Sequence, residues 1–501
     1  MENVKLAVVC AAWLTGGLCF SGSLAADPLP AREKYLLLDS RVVDHVENAQ
    51  LSVGKITKHP ANPLFKQDKP WERDLAHMYN NIIFDEEEQI YKLWYYTKIS
   101  VLRGNQEDLS KHITPGPLVP NDITKWNEAL LYATSKDGIK WEKPAQDIYK
   151  YKGKPCNMLI WGVPGTGVFK DLRDPDPSRR YKLITGGVPH GVVLVAFSPD
   201  GIHWSKRQEV VRGENQAELK ADTHNNAFWA PDLKKYIGIT RAFPRIPEVG
   251  QVRTVLRMES DDFIHWTKPV QVLYGPYNAQ TYAMPVFPYA GVYLGLAVIY
   301  RVKPAGLMDT ELTWSPDTKV WHRIDEGNPL IPLSPGRTHD SGCIFGAAYP
   351  LVMKDEIRIY YSGQSRRHGM NPGFFCLATL RIDGWAGYEQ QDKGTPAVVV
   401  TQPLTCDGKT LCVTADVSSG GSVKVTVLDT AGKFVAEAKP ITTTVTDGTA
   451  VDVVKQRGKA VSIRLEIDKA KVYSLRFIGK KAKTGNVVLS CPKAITTTEA
   501  P

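Results

Sequence analysis

Three short polar segments, each ahead of an apolar, strand-like run, hold most of the residues whose types can do chemistry. They are Asp74-Leu-Ala-His77-Met-Tyr-Asn80-Asn81, Ala221-Asp222-Thr-His224-Asn225-Asn226 and Gly336-Arg337-Thr-His339-Asp340-Ser-Gly342. A fourth, Tyr277-Asn-Ala-Gln280-Thr-Tyr282, carries no carboxylate. Two carboxyl groups facing each other across a cleft can divide general acid and general base work between them. Asp222 and Asp340 stand immediately ahead of their strand runs and form the leading catalytic pair, with Asp74 as a third candidate if its segment folds back. The competing reading is that each Asp caps the start of its strand by bonding nearby backbone N–H groups. His224 and His339 sit beside the pair and can move protons near neutral pH. His77, Asn80, Asn81, Asn225, Gln280, Tyr282 and Arg337 supply the donors and acceptors expected of a substrate-binding wall. No metal or other cofactor is called for, although His77, His224 and His339 with one carboxylate are also the donor set of a divalent cation site.

The elements that would bring these segments together are announced by a repeat. Ser135-Lys-Asp-Gly-Ile-Lys-Trp141 recurs as Ser198-Pro-Asp-Gly-Ile-His-Trp204, Ser260-Asp-Asp-Phe-Ile-His-Trp266 and Ser315-Pro-Asp-Thr-Lys-Val-Trp321, with a weaker copy at Arg381-Ile-Asp-Gly-Trp385. Successive tryptophans are 63, 62, 55 and 64 residues apart. Ser-x-Asp-Gly is a turn whose short polar side chains bond nearby backbone N–H groups, and the Trp that follows can pin the turn to a neighbouring unit. Each copy follows two or three strand-like runs, as the first follows Asn81–Phe84, Tyr91–Tyr96 and Ala129–Ala133, and helical periodicity is scarce. Small antiparallel sheets repeated in this way cover their edges and faces by packing radially. The fold class expected is all-β: a five-bladed β-propeller followed by a small β-sandwich, the latter in the Trp-free, Val- and Thr-rich stretch after Trp385. Of the aromatics remaining there, Phe434, Tyr473 and Phe477 read as packing residues.

Composition sets the limits. With 501 residues, 43% hydrophobic and 23% charged, the chain has material for a large core and excludes collagen-like, coiled-coil and disordered classes. Residues 1–26 read as a secretory signal: Lys5, an apolar run from Leu6 to Leu24, then a small-residue end at Ser23-Leu-Ala25 or Leu24-Ala-Ala26. Export to a periplasm or beyond follows, with no membrane insertion after signal removal. The divisions expected are 27–392 for the propeller, 393–480 for the sandwich and 481–501 for a flexible tail. No cysteines show metal-ligand spacing, and Cys406 and Cys412 flank the Asp407-Gly408 turn, where a cross-strand disulfide and free thiols are both open. The net charge of +9 is concentrated at the C-terminal end. No nucleic-acid-binding motif accompanies it.

The turns and strand openings over about 350 residues resemble the five-bladed propeller glycoside hydrolases, the group containing families 32, 43, 68, 117 and 130. With the Lys471-Val-Tyr-Ser-Leu-Arg-Phe477 strand, the chain also resembles exported bacterial proteins called family-32-like. The resemblance implies a glycoside hydrolase of oligo- or polysaccharides, acting by paired carboxylates with His assistance, and a funnel closed at one end suits exo-action. The alternatives are a non-catalytic glycan-binding propeller and a metal-dependent carbohydrate-active enzyme. Two family motifs are altered. Where family 32 carries an Asn-Asp-Pro nucleophile this chain has Tyr79-Asn80-Asn81-Ile82, and its Glu-Cys acid/base position holds Asp222-Thr223. Arg173-Asp174-Pro175 matches the family's Arg-Asp-Pro but reads as a hairpin turn.

Overall fold

The computed structural model describes residues 28–72, 75–99, 112–115, 128–187, 191–303, 305–369 and 372–479. The signal call, the tail and Asp74 lie outside the described residues. Among the described residues no helix is long and apolar enough to cross a membrane.

Five antiparallel blades form the propeller. Blade one is Asn81–Asp85, Ile90–Lys98, Glu128–Ser135 and Met158–Trp161, its last strand preceded by an inserted sheet that includes Gln146–Tyr151 and Lys154–Cys156. Blade two is Gly167–Lys170, Tyr181–Gly186, Val192–Ser198 and Gln208–Arg212, and blade three Asn226–Ala230, Lys235–Ala242, Thr254–Ser260 and Val270–Tyr274. Blade four opens with Ala279–Ala283 and Val286–Tyr289 and continues through Val292–Arg301, Leu307–Ser315 and His322–Arg323. In blade five, Cys343–Gly346, Glu356–Gln364 and Gly373–Arg381 come from the C-terminal side, while the outer strand is supplied by Thr57–Lys58 and Phe65–Lys66. The ring is therefore closed by the N-terminal segment, which covers the edge of Gly373–Arg381.

The repeated turns form as their composition dictates. In the first, Ser135 Oγ accepts from Gly138 N at 2.8 Å and Asp137 Oδ1 from the N–H groups of Ile139 and Lys140 at 2.7 and 2.8 Å. The residue after the Asp has positive φ in the first four copies, Gly138, Gly201, Phe263 and Thr318, whereas in the fifth the Asp itself, Asp383, takes that conformation. Glycine is the unstrained choice there. Each turn is gripped by the preceding blade. Tyr360 of blade five bonds Gly138 O at 2.9 Å, Trp94 Nε1 of blade one bonds Gly201 O at 2.7 Å, and Arg179 of blade two bonds Asp262 O at 2.6 Å. Arg257 Nε of blade three bonds Thr318 Oγ1 at 2.7 Å, and Tyr289 of blade four bonds Asp383 Oδ1 at 2.7 Å. The motif tryptophans are less hidden than the repeat suggests: Trp141, Trp204 and Trp266 are half-buried, whereas Trp385 is wholly buried.

The second body is one ten-stranded sheet folded over its own core, built on two 19-residue strands, Thr410–Leu428 and Ala460–Ile478. Their pairing shifts register between Val417 and Ser422, at the Gly420-Gly421 bend. The division expected at 392/393 is corrected by strand pairing. Tyr35–Leu36, Val43–Glu47 and Ala49–Val53 belong to this sheet, as does Ala386–Gln390, so the described chain passes from the second body into the propeller and returns to it. Buried Asp383 ties the two together by accepting from Lys34 Nζ at 2.6 Å and Ser474 Oγ at 2.8 Å. Tyr473 and Phe477 are buried and Phe434 is 60% exposed. Cys406 and Cys412 are both buried free thiols.

Candidate functional site

At the axis the inner strands are stitched by asparagines in equivalent places. Asn81 Oδ1 accepts from Val168 N of blade two at 3.1 Å, and Asn226 Oδ1 from Val286 N of blade four at 2.9 Å. Asn81 Nδ2 donates to Tyr79 O and Thr166 O, both at 2.9 Å. Asn225 is equally committed, donating to the carbonyls of Gly165, Ala221 and Thr223 and accepting from Thr240 Oγ1. Both were expected to bind substrate; their hydrogen-bonding capacity instead holds blades together.

Above this stitching lies an aromatic and imidazole cluster. The His77 ring stacks on Tyr282 at 6.1 Å with planes 14° apart and lies 5.1 Å from Phe345, 5.5 Å from His368 and 5.8 Å from Tyr79. His224 packs 5.5 Å from Tyr79 on the other side, its Nε2 at 3.2 Å from Asn81 Oδ1. His368 Nε2 meets Tyr282 Oη at 3.1 Å. The chain reaches this crowding through left-handed backbone at Met78 (φ 34°) and Tyr79 (φ 42°), a conformation uncommon for residues other than glycine. His77 Nε2 and both amide atoms of Asn80 are buried with no hydrogen-bond partner among the described residues. Such groups cost free energy unless a ligand or water completes them.

Asp222 stands at the rim. Arg241 grips it through Nε at 3.1 Å and through Nη2, while the Arg241 guanidinium lies 4.6 Å from the Tyr282 ring centre. Lys220 Nζ is 3.7 Å from the same carboxylate. Arg241 is pushed above the usual arginine range: burial alone would lower it, but Asp222 and the phenols of Tyr282 and Tyr79 outweigh that. Burial pushes His224 down to about 3. Burial and then the charges of Arg253, Arg241 and Lys98 push His368 down to about 4, and His77 is lowered in the same way. Burial raises the Tyr79 phenol well above its ordinary value. At neutral pH the cluster thus holds neutral imidazoles, a neutral Tyr79 and one carboxylate locked to a guanidinium.

Asp340 does not join it. Its side chain is fully buried and paired with Lys58 Nζ of the outer strand at 2.6 Å, and it accepts from Tyr361 Oη at 2.8 Å and Thr338 Oγ1 at 3.2 Å. Lys58 and the hydroxyls of Ser334 and Tyr361 hold it below the usual carboxylate range, overcoming burial. The facing pair Asp222–Asp340 is therefore corrected. The physical reason is register: the inner strand of blade five begins at Cys343, yet the residue that bridges to Asn81 is Ala348. The segment before Cys343 is consequently not level with the segments before Asn81 and Asn226, and Asp340 packs against Lys58 and Tyr361 instead. His339 goes with it, 6.2 Å from the Phe374 ring and 3.8 Å from Asp340, so the three imidazoles do not converge. Arg337 is exposed in the same segment. Gln280 is at the rim, accepting from Arg253 Nη1 at 2.8 Å. Among the described residues no group of three His, Cys, Asp or Glu side chains is placed to hold a metal ion. Arg173-Asp174-Pro175 lies in the hairpin turn of blade two, with Arg173 3.4 Å from the Trp229 ring centre.

Sequence reasoning missed Arg241, Arg253, Tyr300 and His368. Arg241 and Tyr300 end second strands, Arg253 precedes a third, and His368 lies in the loop between the second and third strands of blade five. An arginine closing the apolar run Tyr236-Ile-Gly-Ile-Thr-Arg241 was the available signal.

Compared with known proteins, the sequence matches no family profile and no curated protein. Solved structures similar in shape include the catalytic domain of the Coprinopsis cinerea GH62 α-L-arabinofuranosidase, at 12% identity and TM-score 0.43 over 66% of this chain and 97% of that one. The β-1,2-mannobiose phosphorylase of Listeria innocua aligns at 12% identity and TM-score 0.44 over 66% and 97%. A family 43 arabinoxylan arabinofuranohydrolase of Bacillus subtilis aligns at 12% and 0.40 over 84% and 98%. Similarity at this level carries no assignment of activity.

Proposed function

We propose that the protein is an exported carbohydrate-active enzyme that cleaves a glycosidic bond at the propeller axis, acting on chain ends. The observation that carries the reading is the Asp222–Arg241 pair set at the rim of a cluster of stacked neutral rings. Aromatic faces offer flat apolar surfaces to the C–H faces of a sugar, and the orphaned atoms of His77 and Asn80 offer hydrogen bonds to its hydroxyls. A carboxylate held by a guanidinium stays ionised, which suits a base or nucleophile rather than a proton donor. The proton donor must then be another group, and the hydroxyls of Tyr79 and Tyr282 are the candidates in the cluster, since the neutral imidazoles of His77 and His368 accept protons rather than give them. This chemistry replaces the pair of carboxyl groups with one carboxylate and a phenol.

The single carboxylate in the described cluster favours a second reading, a propeller that binds glycans without cleaving them. Incubating the purified protein with plant, algal and host glycans, and measuring released reducing ends together with binding, separates the two. Release that disappears in Asp222→Asn supports the enzyme; binding with no release by the wild type supports the binding module.

A further inference from the structure

Among the described residues, Arg253 is a guanidinium of this site with no salt bridge to a carboxylate. It immediately precedes the third strand of blade three, and its Cζ lies 5.0, 5.1 and 5.2 Å from the ring centres of Tyr300, Tyr282 and Phe243. The three rings hold it in one place. Its protein hydrogen bonds go to Gln280 alone: Nη1 at 2.8 Å and the backbone N–H at 3.4 Å. A guanidinium has five N–H donors in a fixed fork, so most of this one remains unused among the described residues. The nearby carboxylate, Asp222, faces Arg241 instead. Lys98 adds a further positive charge near His77 and His368. Burial and Arg241 lower the Arg253 pKa, so the protein holds this charge at a cost that a bound anion would offset. The neighbouring surface is made for a ring: Tyr282, Tyr300 and His368 pack mutually at 5.1 to 6.3 Å.

We infer that Arg253 is a specificity residue for an anionic sugar, its free fork receiving a carboxylate or sulfate oxyanion on the residue seated against Tyr282, Tyr300 and His368. The inference rests on the carbohydrate reading of the same site but not on cleavage. A forked guanidinium matches both groups in two parallel hydrogen bonds, whereas a lysine offers a point charge only.

The test uses matched pairs: glucuronate- and galacturonate-containing oligosaccharides with their carboxyl-reduced counterparts, and sulfated oligosaccharides with their desulfated counterparts. Affinity is measured by calorimetry and turnover by reducing-end release, for wild type, Arg253→Gln and Arg253→Lys, with a melting curve for each. The wild type should prefer one anionic member over its neutral partner, and Arg253→Gln should shrink that preference about 10- to 100-fold. Arg253→Lys should recover part of it, and added salt should weaken the anionic ligand selectively. Which pair responds separates carboxylate from sulfate. Equal treatment of both members by the wild type, or an unchanged preference in Arg253→Gln, overturns the inference. Should Arg253→Gln fail to fold, Arg253→Lys and the salt dependence decide. Arg253-dependent binding without release sinks cleavage and leaves this inference standing; release that ignores ligand charge does the reverse.

Discussion

Acid should weaken the fold through its buried imidazoles, and His224 allows the size to be worked out. It is 2% exposed, its Nε2 meets Asn81 Oδ1, and burial pushes it down to about 3. In the unfolded chain the same ring titrates near 6.5. The folded value is depressed, so the stabilising contribution is complete above the unfolded pKa and is lost as the pH falls from about 6.5 toward the folded value. Between pH 7 and pH 5 the unfolded ring takes up a proton that the folded ring does not. At 1.36 kcal/mol per pH unit over about 1.5 units, that is about 2 kcal/mol. The depressed carboxylates, Asp85 and Asp262 among them, are ionised in both states over this range and contribute no slope. His77 and His368 contribute with the same sign, so the assay must be a difference. Urea unfolding of wild type and His224→Gln at pH 7 and pH 5 provides it, glutamine being neutral at both. The stability gap between the two proteins should change by about 2 kcal/mol in favour of the variant at the lower pH. Unfolding curves that shift in parallel would show that His224 is already protonated, or solvated, in the native state.

Replacing Lys58 by Met strands the buried Asp340 carboxylate and should cost about 3 to 5 kcal/mol in denaturant unfolding, and a loss under 1 kcal/mol would return Asp340 to the list of free carboxylates. Trp385→Ala, at a fully buried ring, should cost about 3 to 5 kcal/mol, and Trp141→Ala measurably less because that ring is half-exposed; the reverse order would contradict the observed burial. Asp222→Asn should lower any glycan release at least about 10²-fold, measured beside its melting temperature, and turnover at the wild-type rate would move the chemistry elsewhere.

The propeller was legible because its turn imposes strict local demands. A hydroxyl, a carboxylate and a positive-φ residue must follow in order, so Ser, Asp and Gly recur even though intervening strands drift. What the repeat could not show is the level at which each inner strand begins. Asp340 precedes an apolar run just as Asp222 does, yet blade five begins its inner strand earlier, and that offset carries Asp340 away to Lys58. Nor could it show that strands of two residues near the N-terminus complete the last blade, since pieces so short have no periodicity. Arg241, Arg253 and His368 carry no mark in the repeat, because the far ends of second strands and the starts of third strands reach the same face as the segments ahead of first strands without a recurring motif.

Comparing copies of the repeat with one another gives a sharper guide than reading each copy alone. Asn81 and Asn226 occupy the same place and do the same work, each receiving a backbone N–H from the next blade. One residue earlier, Asn225 has its amide fully used by three carbonyls and Thr240, while the equivalent Asn80 is just as buried with both amide atoms unpaired among the described residues. One position earlier again, His224 is matched by Tyr79, whose left-handed backbone turns the chain so that His77 stacks on Tyr282. A blade that only had to close the ring would gain by repeating the satisfied arrangement of blade three. Blade one forgoes that stability at consecutive residues, and buried polar groups left open at the axis of a propeller are what a ligand would complete. The departures from the repeat, rather than the repeat itself, mark where a ligand would be held.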